Sequence, residues 1–235
     1  MKTILKTLVG SRAHGLHTEK SDYDYRGVFV VPTSEILSLG YKEKATSWLE
    51  GQGEDATAYE LHHFLNLATH SNPSILEVLV SPVVEETIEG RALQELFPAL
   101  WNSKDVLNAF GGYSANQRKK FLEDKDGRPW KFAAAYVRVL LLGIELLNTG
   151  KMNVNLNVQE AALGSAGINL GNFAGGLRDY IYSIKTGNGI KKGEVVDWAE
   201  YLSGQLKEAY ERNPNKVTDV ERVNDFLLKA RKANW

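Results

Sequence analysis

The apolar and polar positions change rhythm along this chain. Residues 3–9 form a β-type run that stops at Gly10, and residues 27–32 form a second, valine-rich run closed by Pro32. Between them, residues 11–16 read as a short helix or turn. A loop with a cap-like Ser21 follows, and then a strand that carries Asp22 and Asp24. Residues 44–61 are punctuated by glycine and charge, with a short strand at 56–59. Leu61, Phe64, Leu65 and Ala68 recur at helical spacing, and Asn72-Pro73 ends that helix. The apolar run 75–80, closed by Ser81-Pro82, fits either another strand or a buried turn of helix.

From about Leu93 onward the spacing is helical. The pattern predicts helices over 132–147 with a stop at Asn148-Thr149-Gly150, over 177–185 with a stop at Thr186-Gly187, and over 193–212 before Asn213-Pro214. A last helix opens at a Thr218 or Asp219 cap. Residues 151–176, rich in Asn and Gly, read as a long ordered loop or a mobile flap. The fold class is therefore α+β: residues 1–100 form a mixed unit of strands and helices, and residues 101–235 form an all-helical one.

The chemistry concentrates in Gly10-Ser11-Arg12-Ala13-His14-Gly15-Leu16 and Ser21-Asp22-Tyr23-Asp24-Tyr25-Arg26-Gly27. A Gly-Ser turn at a helix start leaves backbone N–H groups free to meet phosphate oxygens. Two aspartates one residue apart on a strand share a face, with Cα atoms about 6–7 Å apart, so their oxygens can converge on hard cations. A phosphate cradle beside Mg²⁺ is the equipment of phosphoryl and nucleotidyl transfer, in which a pair of ions about 3.5–4 Å apart neutralises the transferring group. Two ions call for a third carboxylate. Asp55, at the start of a strand, is favoured over Glu60, which reads as an acid complementing the first turn of the following helix. Gly10 and Ser11 are the expected phosphate contacts, and Arg12 and Arg26 are nearby cations that could reach the same phosphates. Lys131 and Arg138 lie two helical turns apart on one face and could meet a triphosphate tail, or a structural carboxylate such as Glu145.

This constellation resembles the nucleotidyltransferase superfamily that includes DNA polymerase β, the poly(A) polymerases and the aminoglycoside nucleotidyltransferases. Within it, the match is to a bacterial and phage family of polymerase β-like nucleotidyltransferases associated with RNA repair. The family pattern is met at Gly10, Ser11, Ala13, Gly15, Leu16, Ser21, Asp22, Asp24, Arg26, Gly27 and Val28. A second block runs from Asp55 through Tyr59-Glu60-Leu61 to Leu76-Glu77, and a looser third from Lys131 to Lys151. The resemblance implies a polymerase β-like catalytic domain followed by a helical domain. It also implies an NTP as substrate, two Mg²⁺ ions (Mn²⁺ substituting), and an acceptor hydroxyl, with an RNA 3′ end first in line. A protein or small-molecule acceptor is the alternative within the enzyme class; outside it stands a non-catalytic nucleotide-binding or antitoxin-like regulatory module. The family tends to carry histidine where this chain has Tyr136.

Composition narrows the picture in three respects. The 235 residues include no cysteine, which removes disulfides, thiol catalysis and cysteine-ligated zinc, and fits a reducing cytoplasm. A formal net charge of −1 gives no global basic field for nucleic acid. The longest apolar run, 139–144, is too short to span a bilayer, so no membrane partner is expected. The histidines at 62, 63 and 70 have no carboxylate at suitable helical spacing and are expected to be solvated or packing residues. The basic run Arg118-Lys119-Lys120, beside Tyr113 and Phe121, could track a nucleic-acid backbone but reads first as a solvated helix face.

Overall fold

In the computed structural model the described residues are 1–42, 45–48, 55–171, 173 and 175–235; the side chains of Trp48 and Asp55 are not among them. Much of the glycine-punctuated stretch before the 56–59 strand thus lies outside the described residues. The chain folds into two units: Met1–Trp101 with Val217–Trp235, and Asn102–Lys216.

The first unit is built on β1 (Lys2–Val9), α1 (Gly10–Ala13), β2 (Asp24–Val30), α2 (Thr33–Ile36), β3 (Thr46–Trp48), β4 (Asp55–Glu60), α3 (Leu61–Thr69), α4 (Pro73–Val80), β5 (Val83–Glu86) and α5 (Ile88–Glu95). The five strands form one mixed sheet in the order β3-β4-β2-β1-β5, with β2 and β4 parallel and the other pairs antiparallel. β2 starts at Asp24, so Asp22 precedes the strand it was expected to share. The run 75–80 is helical: Asn72 caps α4 by accepting from the Ser74 and Ile75 N–H groups, and Pro73 sits at its first position. Four of the residues Ile75 to Leu79 are buried, so the apolar run reflects packing and not pleating.

A close approach fixes α5. Thr87 donates its N–H to the Ile4 carbonyl at the bulge of β1 and accepts from Gly90 N–H through its hydroxyl. A Cβ at Gly90 would overlap the Ile4 carbonyl, so only glycine lets the helix lie that near the strand.

The second unit holds α6 (Ser103–Leu122), α7 (Pro129–Thr149), α8 (Leu156–Ser165), α9 (Leu177–Thr186) and α10 (Lys192–Arg212). α7 is its core: thirteen of its residues are buried, and Gly150 ends it in the left-handed conformation, donating to the Leu146 carbonyl. Among the described residues α7 alone is long and apolar enough to cross a membrane by length and composition. Its apolar window is 72% buried in protein, so packing accounts for that composition. The stretch 151–176 contains α8. Further along, Phe173 packs against Tyr180 of α9 and Trp198 of α10, with ring centroids 4.5 and 5.2 Å away, and the Trp198 indole donates to the Leu170 carbonyl.

The final helix, α11 (Val220–Ala233), does not join the helical unit as the 101–235 division expected. Asp219 caps it and donates its own N–H to the Ala99 carbonyl. At its other end the Arg231 guanidinium lies 2.7 Å from Glu60 Oε1 and donates to the Val31 carbonyl, while the Thr33 hydroxyl donates to the Arg231 carbonyl. Both partners of the ion pair are nearly buried, with side chains 15% and 6% exposed.

Candidate functional site

Three adjacent strands bring the predicted residues to one end of the sheet. Val9, the last residue of β1, is the register partner of Asp24, and Asp24 is the register partner of Asp55. The turn into α1, the start of β2 and the start of β4 therefore meet at that end. Gly10 has φ +69°, and a Cβ built there would overlap the Asp24 carboxylate, whose Cγ lies 3.0 Å away. The Asp24 side chain thus rests against the backbone of the Gly-Ser turn. Val9, at the N-cap of α1, has an extended backbone and makes no side-chain cap, so the first N–H groups of this short helix have no intrahelical acceptor.

Side-chain direction sorts the neighbours. Along β2, Asp24 and Arg26 share one face and Tyr25 takes the other. Tyr23 stacks on Tyr25, with ring centroids 6.3 Å apart and planes at 16°, so the Tyr23 ring lies with Tyr25, on the face that Asp24 does not take. Asp22 is exposed and Asp24 partly buried. Arg26 is partly buried one pleat further in, between Thr7 and Thr57 in register. Arg12 goes the other way: its guanidinium lies 3.7 Å from the centre of the Tyr23 ring, on the face away from Asp24.

Glu60 and Asp55 separate in the structure. Glu60 is the N-cap of α3: Oε2 accepts from His62 N–H at 2.7 Å and Oε1 is held by Arg231. Its oxygens serve the fold. Asp55 stands at the register position opposite Asp24. Among the described residues no three His, Cys, Asp or Glu side chains converge to hold a metal, and the Asp55 side chain is not among those described. Asp22 and Asp24 offer only carboxylate oxygen, the donor chemistry of a hard divalent cation.

Lys131 and Arg138 belong to the helical unit, the former exposed in the first turn of α7 and the latter partly buried two turns on. Glu145, offered as an alternative partner for them, is fully buried and accepts from Asn153 N–H, the Asn153 amide and the Gln159 amide. Burial pushes its carboxyl above the usual range, against the pull of those hydrogen bonds. The basic run on α6 lies along acids and a ring: Arg118 is 3.8 Å from Glu200, Lys119 is 4.0 Å from Glu123, and Lys120 lies over Phe132.

Sequence reasoning missed His14 and Glu77. The imidazole Nε2 of His14, at the C-cap of α1, pairs with the Glu77 carboxylate on α4, both side chains nearly buried. His14 lies inside the Gly-Ser motif and Glu77 inside the second block. Nothing in their spacing of 63 residues marks them as partners.

A sequence model of the RNA repair pathway DNA polymerase beta family, RlaP, matches residues 1–229. The chain belongs to this family. Its polymerase β-like nucleotidyltransferase fold and α+β class follow from that membership and agree with the mixed sheet and flanking helices. An uncharacterized 38.9 kDa protein of the nrdC-mobD intergenic region of Enterobacteria phage T4 is 34% identical over 133 residues, 52% of this chain. The match spans 39% of the phage protein, well under half its length. A nucleotidyltransferase-like protein from Exiguobacterium sibiricum aligns with 99% of this RlaP-family chain and 74% of its own, at 9% identity and a TM-score of 0.30. That superposition is too loose to carry an argument.

Proposed function

We propose that this RlaP-family chain is a metal-dependent nucleotidyltransferase that moves an NMP from an NTP to a hydroxyl, with an RNA 3′ end as the acceptor. The observation that carries the reading is the Asp24 carboxylate lying on the backbone of Gly10, with Asp55 in register beside it. A phosphate-binding turn and a carboxylate site must touch for a triphosphate to bridge them, and the contact of Gly10 with Asp24 supports that reading.

Asp22, Asp24 and Asp55 are the residues that would hold Mg²⁺. When bound, Mg²⁺ supplies neutralisation of the triphosphate charge and a lower pKa for the attacking hydroxyl. The N–H groups of Gly10 and Ser11, with the Ser11 hydroxyl, bind the β- and γ-phosphates. Arg26, on the Asp24 face, adds positive charge. The acceptor oxygen attacks the α-phosphorus, the bond to the bridging oxygen of the β-phosphate breaks, and pyrophosphate leaves. The hydroxyl proton passes to a carboxylate at the site, for which Asp55 is the candidate. The acceptor assignment rests on the repair association of the family.

The test incubates purified protein and Mg²⁺ with each α-labelled NTP, offering RNA, protein extract and small-molecule pools separately. Label is expected in RNA, lost at least about 100-fold in Asp22→Asn and Asp24→Asn, the scale of removing one electrostatic stabiliser of a transition state. Label in another pool would reassign the acceptor, and full activity in both variants would refute the reading.

A further inference from the structure

We infer that Arg12 is a positioning residue for the Asp22–Asp24 carboxylates and not a ligand of the triphosphate. Its side chain is committed to the loop that carries them. Nη2 donates to the Ser21 carbonyl at 2.8 Å, and Nε lies 3.2 Å from the same oxygen and 3.3 Å from the Asp22 carbonyl. The guanidinium plane rests 3.7 Å from the centre of the Tyr23 ring. Tyr23 stacks on Tyr25, and Lys6 Nζ stands 4.4 Å from the centre of the Tyr25 ring. The result is a cation–ring–ring–cation stack along the back of β2, reaching from α1 to β1.

This arrangement has a direct chemical use. Asp22 lies outside the strand, so the ladder of β2 does not fix it. Two carboxylates that are to share a cation repel each other until it joins them. Something else must hold the loop, and the local turn, Ser21 N–H to the Thr18 carbonyl and Thr18 N–H to the Ser21 hydroxyl, closes only its far end. Arg12 grips the two carbonyls just before Tyr23 and backs the ring between the two aspartates. A planar guanidinium can chelate carbonyls and stack on a ring together; a lysine ammonium cannot do both. Because Arg12 directly follows Ser11, the same short helix that offers N–H groups to phosphate also sets the carboxylates opposite.

The consequence for metal binding rests on the proposed function, whereas the grip on the loop does not, and the experiment separates them. Trypsin cleavage after the exposed Lys20, read by mass in native protein without metal or nucleotide, reports the loop. Mn²⁺ titration followed by electron paramagnetic resonance reports the carboxylates. ATP affinity at saturating Mn²⁺ reports any phosphate contact. Arg12→Lys and Tyr23→Leu should speed cleavage after Lys20 and weaken Mn²⁺ about 10- to 100-fold, the usual effect of losing a residue that orients a metal ligand. They should leave ATP affinity at saturating Mn²⁺ within about twofold, and Tyr23→Phe, which keeps the ring, should behave as wild type. Unchanged cleavage together with weakened ATP binding in Arg12→Lys would make Arg12 a phosphate ligand and overturn the inference, as would a loosened loop with unchanged Mn²⁺ affinity. Absence of Mn²⁺ binding in wild type would overturn the functional reading instead, and the cleavage rates would still decide whether Arg12 holds the loop.

Discussion

Gly10 is the residue on which the site turns. A methyl at this position must adopt φ +69° and also displace the Asp24 carboxylate. Gly10→Ala should cost about 1–2 kcal/mol from backbone strain, read as a lowered melting temperature. Transfer per folded molecule should fall much further, because the displaced group is a proposed metal ligand. Asp55 and Glu60 offer a complementary pair. Asp55→Asn should abolish transfer with little change in melting temperature, whereas Glu60→Gln should lower the melting temperature and spare the folded enzyme. The reverse pattern would move the third carboxylate to Glu60. That the Gly-Ser turn meets Asp24 was legible in the sequence because the two lie at short spacing between strands. Glu60 was legible as a helix-start acid. The contacts of Arg12 to the Ser21 and Asp22 carbonyls and the Tyr23 ring were not legible, because backbone carbonyls leave no trace in a sequence. His14 and Glu77 were hidden by distance along the chain.

At the scale of elements, caps decided what could be read. α3, α7, α9 and α10 carry their stop signals within a few residues, and Asp219 opens α11 as its sequence announces. The apolar run of α4 fits helix or strand by its pattern, and Asn72-Pro73 reads equally as the end of α3 and as the start of a new helix. β5 gave no signal, since all four of its residues are exposed and it pairs only at one edge. The docking of α11 had none either, because it depends on Arg231 meeting Glu60 across 171 positions (231 minus 60). Removing one partner of a nearly buried pair leaves an uncompensated charge, so Arg231→Met should destabilise the sheet unit by about 3–5 kcal/mol in urea titration. A change below about 1 kcal/mol would mean that the pair is solvated in solution.

For the whole molecule, the two units should respond differently to pH. Glu145 sits at the centre of the helical unit and its burial favours the protonated form. The native state then holds this proton to higher pH than the unfolded chain does. Its contribution is fully present below the ordinary carboxylate value of about 4.5 and is lost as pH rises through the higher native value. Glu145→Gln should flatten that part of the stability curve of the helical unit, followed by hydrogen exchange in α7 from pH 4 to 8. An unchanged slope would show that Glu145 titrates alike in the folded and unfolded chain.

The chain leaves the sheet unit after Trp101 and returns at Val217, and the two crossings are stitched: Ser103 N–H donates to the Asn215 carbonyl on one side, Asp219 N–H to the Ala99 carbonyl on the other. In the language of synthesis, the helical unit is a parenthesis within the sheet unit, closed before the sentence around it is finished. On the ribosome, residues 102–216 can fold as soon as they emerge. The first 101 residues must wait, with the carboxylate of Glu60 lacking its arginine, until the last helix is made.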